Sequence, residues 1–149
     1  MSVVTSGVYP VFNNTFKIGT AGKTSTTNDM KTIADCENFS VSIDNNVEEW
    51  DAMEDEGWVK RMMTGKGFSI SITAKRNVGD DGNDYIASKA FVTGANAESK
   101  FEWTFADGTV VAFNCVISVT NAGTGDTRNV APLEFEILSN GKPTVTPAA

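Results

Sequence analysis

The chain has 149 residues, a formal net charge of −7 and a pI near 4.5. An acidic balance of this size argues against a protein that grips nucleic acid, because such binding is driven by lysine and arginine displacing counterions from phosphates. There is no histidine, which removes the commonest general base and the usual partner of a serine or cysteine nucleophile.

The length fits one domain with a core that needs no staple. No stretch approaches the ~18 consecutive apolar residues of a membrane span. Met1-Ser2-Val3-Val4 lacks a basic segment followed by an apolar run, so no signal peptide is expected. The two cysteines, Cys36 and Cys115, are too few and too far apart for zinc. Both are expected to be reduced, Cys115 as a small core residue on the apolar parity of its strand.

About residues 1–15 read as an extended arm, with Val3, Val4, Val8, Val11 and Phe12 interrupted by Gly7 and Pro10. Phe16-Lys17-Ile18 suggests a short strand ended by Gly19. The polar run Gly22 to Asp29 reads as an exposed loop. Within it Gly22-Lys23-Thr24 imitates the end of a phosphate-binding loop, but Lys17 stands where the leading glycine belongs and no apolar helix follows.

Phe39 to Lys75 is the organising stretch. Phe39, Val41 and Ile43 alternate with Ser40, Ser42 and Asp44, and Phe68, Ile70 and Ile72 alternate with Ser69, Ser71 and Thr73. A period of two predicts strands with one face buried and one wet. The wet face of small hydroxyls lacks the lysines that keep a sheet face solitary. Between the strands lies an acidic connection with Trp50 and Trp58 inside it. Val47, Trp50 and Met53 recur every third residue, which predicts one or two helical turns before Gly57. Its carboxylates could serve acid and base chemistry if their pKa values were pushed apart, but crowding in a wet loop favours a solvated charged face. Trp50, Met53, Trp58, Met62 and Met63 are either folded over one end of the core or offered to a partner. Lys60-Arg61 puts basic charge beside the acidic run, which suits head-to-tail contact between identical subunits.

Asn77 to Asp84 is dense in turn formers. As a calcium loop it fails, because the twelfth position from Asp80 is Phe91 and the glycine stands third. A helix capped by Asn83 or Asp84 is expected instead, two to three turns long, with Tyr85, Ile86, Ala90 and Phe91 as its stripe and its end near Gly94. Next, Phe101, Trp103 and Phe105 pair with Val111, Phe113, Cys115, Ile117 and Val119 around Asp107-Gly108, a tight hairpin signal. Thr120 to Asn129 is a turn or loop. Leu133, Phe135 and Ile137 form the last strand, before a thin tail over about residues 140–149. The expected fold is mainly β, an antiparallel sandwich or barrel with one flanking helix. No catalytic residue, cofactor site or metal site is expected.

Together these pieces resemble the major tail tube proteins of long-tailed bacteriophages and related prophage-encoded particles. The resemblance rests on the serine-rich hairpin with its tryptophan loop, on Gly82-Asn83-Asp84-Tyr85-Ile86-Ala87, on Phe101-Glu102-Trp103-Thr104-Phe105 before Asp107-Gly108-Thr109, and on Leu133-Glu134-Phe135 leading to Gly141-Lys142-Pro143-Thr144-Val145-Thr146-Pro147. It covers most of the chain from about residue 38. It implies a single tail tube domain that forms hexameric rings stacked into a hollow tube for DNA passage, a virion protein assembled in the bacterial host cytoplasm. Implied partners are further copies of itself and other tail proteins such as tape measure, tail terminator and baseplate or tip, with DNA passing without specific binding and no membrane. On that reading Ser40, Ser42, Ser69, Ser71 and Thr73 face the lumen or close the ring, and Trp50, Met53, Trp58, Lys60, Arg61 and Met62 make contacts between subunits. The inner tube of a contractile tail or tailocin is the near alternative. A small glycan-binding sandwich using its tryptophans is the distant one.

Overall fold

The structure, a computed structural model, describes residues 3–148. The first two residues of the expected arm and the last of the tail lie outside the described residues.

Eight strands form one antiparallel sheet. They are β1 (Thr15–Gly19), β2 (Met30–Thr32), β3 (Cys36–Asp51), β4 (Val59–Lys75), β5 (Glu98–Thr104), β6 (Val110–Asn121), β7 (Pro132–Ser139) and β8 (Thr144–Thr146). Their order is β2-β1-β5-β6-β7-β4-β3, and β8 pairs with Val110 to Ala112 of β6, beyond the part of that edge taken by β7. The sheet curls until its ends face each other, so Phe39 of β3 meets Phe16 of β1 edge-on at 4.9 Å and Trp103 of β5 at 5.5 Å.

The alternation in the sequence explains the core. Ile70 and Ile72, Phe113, Cys115 and Ile117, and Leu133, Phe135 and Ile137 all point inward and are buried. Burying each large aliphatic side chain of this kind contributes about 1.5–3 kcal/mol. The Asp107-Gly108 hairpin forms as expected, with the Phe105 N–H donating to Thr109 O and Gly108 at φ 96°.

Two expectations are corrected. The connection after Ile43 is not a helix-bearing loop, because β3 and β4 stay paired out to Asp51 and Val59 and only a 3-10 turn, Met53–Asp55, caps the tip. Cross-strand polar pairs favour the extended backbone, with Arg61 opposite Glu49 and Lys66 opposite Asn45. Val47 and Trp50 recur at a helical spacing but lie on opposite faces of a strand, beside a bulge at Asn46/Val47.

The helix, α1 (Asp81–Ala87), starts and ends earlier than expected. Asp80 is its cap, accepting from the Asn83 N–H at 3.0 Å. Beyond Ala87 the chain continues as turns, and Phe91 stands fully exposed. Asn83 is instead a buried tie. It accepts from Arg76 and from the Asn77 N–H, and donates to Ala34 O and Lys75 O, joining α1 to the base of the β3–β4 hairpin, opposite its tip. Gly82 is required here, because a Cβ would stand 2.6 Å from Thr32 O of β2.

Within the tail, residues 144–146 form β8. At the other end the arm is tied by the Val4 N–H donating to Ala106 O. Its Val8 and Phe12 remain exposed.

Candidate assembly interface

Two surfaces carry the residues singled out in the sequence. The first is the outer face of β3, β4 and β7. Ser40 pairs with Ser71, which in turn pairs with Glu136; Ser42 pairs with Ser69, and Thr73 with Glu134. Ser40, Ser42 and Ser71 are exposed, while Ser69 and Thr73 are half-buried. Their inward neighbours Ile70 and Ile72 occupy the core, and alternation therefore fixes the hydroxyls outward. Along these three strands the outward positions from residue 38 to 44, 67 to 73 and 134 to 138 hold no lysine or arginine. The carboxylates of Asp44, Glu134 and Glu136 leave this surface negative.

The second surface is the outer half of the β3–β4 hairpin. Pairing with β7 stops at Ser69↔Leu138, so beyond it the two strands continue without a third. Nine residues a side, 43–51 and 59–67, form a ribbon reaching roughly 30 Å at the usual rise of a strand. No residue from 44 to 67 is buried. Trp50 is 44% exposed, Met62 59%, Trp58 79% and Met53 98%. None of the four is packed against the core cluster.

Lys60 and Arg61 are already engaged inside the hairpin, to Asp55 at 3.0 Å and Glu49 at 2.7 Å. Counting outward from Ser42 and Ser69, Trp50, Lys60 and Met62 share the side of the hydroxyls, whereas Val47, Val59 and Met63 share the side of the core. Both faces of the ribbon thus present large apolar side chains. A two-stranded hairpin alone in water is marginal.

Burial pushes the Cys115 thiol up to about 12, and burial with the nearby charges of Asp35 and Asp80 does the same to Cys36, so neither is a thiolate at neutral pH. Asp80 and Asp84 serve protein donors: Asp80 takes the Ala34 and Asn83 N–H groups, and Asp84 takes Arg76 and the Gly79 N–H. Lys23, of the phosphate-loop imitation, lies 3.7 Å from Glu98. Among the described residues no group of three or more acidic or cysteine side chains is placed to hold a metal, and no helix is long and apolar enough to cross a membrane.

The sequence missed the reach of the ribbon. Two signals were present: runs of similar length on either side of Gly57, and the β-branched Val47, Val59 and Thr64 within them.

No family model matches the sequence, and no curated protein matches it either. Solved structures do match. The chain is similar, at 19% identity and a TM-score of 0.71, to a chain in the tail of an empty gene transfer agent particle with C6 symmetry, covering 94% of this chain and 100% of that one. It is similar to a chain in the virion of the native gene transfer agent particle at 20% identity and a TM-score of 0.68, with the same coverage of 94% and 100%. A chain in the sheath-tube complex of an extracellular contractile injection system in its extended state matches at 12% identity and a TM-score of 0.57, over 92% of this chain and 90% of that one. The mainly β fold expected from the resemblance to phage tail tube proteins is therefore the fold this chain shares with the tail of a phage-like particle.

Proposed function

We propose that the protein is the structural subunit of a phage-like tail tube, which joins copies of itself into hexameric rings stacked around a channel for DNA. The observation that carries this reading is the uncovered ribbon on a body whose fold matches, end to end, a chain from a C6-symmetric tail. A monomer has no use for seven apolar side chains on the free part of one hairpin, Val47, Trp50, Met53, Trp58, Val59, Met62 and Met63. A repeating assembly covers them with neighbouring subunits.

On this reading Trp50, Met53, Trp58 and Met62 make contacts between subunits, and Lys60 and Arg61 hold the ribbon straight through their ion pairs. The face of Ser40, Ser42, Ser69, Ser71 and Thr73 lines the channel. Its hydroxyls offer no cation to phosphate, and Asp44, Glu134 and Glu136 repel it, so DNA slides without binding. Tape measure, tail terminator and baseplate or tip proteins are the expected neighbours in the virion tail, assembled in the host cytoplasm, and the role requires no catalysis. The likeness to a sheath-tube complex supports a second reading, the inner tube of a contractile tail. A sheath protein purified with the same particle decides between them.

Electron microscopy of the purified protein tests the assembly. Sixfold rings or tubes are expected, and a species that remains monomeric at high concentration in every salt overturns the reading.

A further inference from the structure

At the root of the ribbon, on the side continuous with the core, lies a cavity of about 800 Å³. Its apolar lining comes from Ile43, Phe68, Pro143 and Val145, and Lys66 and Lys142 stand at its rim. The floor is firm, because Phe68 packs edge-on against Phe113 at 4.7 Å. The mouth is open: Ile43 is 59% exposed and Val145 57%. Lys66 donates to Asn45, while Lys142 has no partner among the described residues.

The tip of the same hairpin has the complementary character. Met53 and Trp58 are its most exposed apolar side chains, and Glu54 and Glu56 flank them, exposed and outside every ion pair among the described residues. Glu56 and Gly57 at φ 53° and 91° turn the chain sharply, making the tip compact. The ribbon itself holds tip and cavity roughly 30 Å apart, so a tip cannot enter its own root.

We infer that the cavity receives the hairpin tip of a second copy, with Met53 and Trp58 against Ile43, Phe68, Pro143 and Val145, and Glu54 and Glu56 facing Lys66 and Lys142. This rests on the self-assembly proposed above and specifies its contact. Each chain has one tip and one cavity, so the contact is head-to-tail and repeats, closing as a ring or running on as a filament. The exposed arm around Phe12 is the other apolar segment in search of cover, but residues 8–13 carry no charge and would leave the two lysines unanswered.

Two experiments test the contact. Met53→Cys and Val145→Cys, made in separate batches and mixed under assembly conditions, are treated with a short bis-maleimide; burial holds the thiols of the half-buried Cys36 and the buried Cys115 protonated, and each batch treated alone controls for their reaction. Cross-linked dimers are expected from the mixture and not from either batch alone. Their absence from assembled material overturns the inference, as does a Tyr9→Cys batch that captures Val145→Cys instead. In the second experiment, Lys66→Glu with Lys142→Glu is expected to lower the assembled fraction at least about tenfold, and Glu54→Lys with Glu56→Lys in the same chain to restore it. If the charge-reversed variant assembles like the wild type, the tip occupies another site and the tube reading stands. If the wild type never assembles, both fall.

Discussion

β3 and β4 pass through two environments without a break in their pairing, and the contrast between them separates what folds this protein from what it is for. In the body, β7 covers the outer edge of β4, and every second side chain of β4 from Ile70 to Ala74 is buried. In the ribbon the same two strands continue antiparallel, through one bulge at Asn46/Val47, yet none of the residues from 44 to 67 is buried. Both halves are paired strands; cover differs. The core supplies cover in the body, so stability belongs there. On the tube reading proposed above, the ribbon takes its cover from neighbouring copies, and its exposed apolar side chains contribute to assembly.

The contrast predicts a wide separation of effects. Phe101 is fully buried and touches both Phe16 and Phe113, so Phe101→Ala should destabilise the monomer by about 3–5 kcal/mol in urea denaturation. A loss below about 1 kcal/mol would mean the body is not held by a single core. Asn83→Ala removes the shared partner of Arg76, the Asn77 N–H, Ala34 O and Lys75 O. Leaving such groups unsatisfied costs about 1–3 kcal/mol each where they are buried, and a drop in that range is expected, seen in the same denaturation curves.

In the ribbon the order reverses. Trp50→Ala with Trp58→Ala should shift monomer stability by less than about 0.5 kcal/mol, because neither side chain touches the core, while sedimentation and microscopy record the loss of rings or tubes. Should the double variant unfold, the ribbon packs on the body in solution and the two environments are one.

How far the sequence carried depends on which environment a residue occupies. Wherever an apolar residue alternates against a core, as at Ile70 and Ile72 or Phe113, Cys115 and Ile117, its inward direction was readable from the alternation alone. The Asp107-Gly108 turn was equally readable, because its backbone geometry is local. The ribbon was not, since a strand with no buried face has no alternation to display, and the spacing of Val47, Trp50 and Met53 then imitates a helix. The cap of α1 was misplaced because Asp80, Asp81, Asn83 and Asp84 are all competent caps. What selects Asp80 is tertiary: Gly82 must lie against Thr32 O of β2, and the Ala34 N–H donates to Asp80. The exposed position of Trp50 and Trp58 was undecidable from sequence, because a core lid and an interface ask for the same side chains.

The smallest effects come from two arginine–carboxylate pairs of equal length, 2.7 Å, one in each region. Arg61–Glu49 lies across the ribbon with both side chains more than half exposed. Holding two long side chains together in water gains little, so Glu49→Gln should alter the unfolding free energy of the monomer by no more than about 0.5 kcal/mol, at low salt as at high. Arg76–Asp84 belongs to the body: Arg76 is the less exposed partner and also donates to the buried Asn83. The hydrogen bond from Arg76 is the main cause that holds the Asp84 carboxyl below the usual aspartate range, with the Gly79 N–H adding to it. A carboxyl depressed in the folded state stabilises that state above its unfolded pKa, ~3.9, and the contribution is lost as pH falls through the lower folded value. Asp84→Asn should therefore flatten the acid limb of the stability curve below about pH 4 and leave assembly intact at neutral pH. Equal acid limbs for wild type and Asp84→Asn, together with a steep salt dependence at Glu49, would place the electrostatics of folding in the ribbon and undo the division between the two halves of the hairpin.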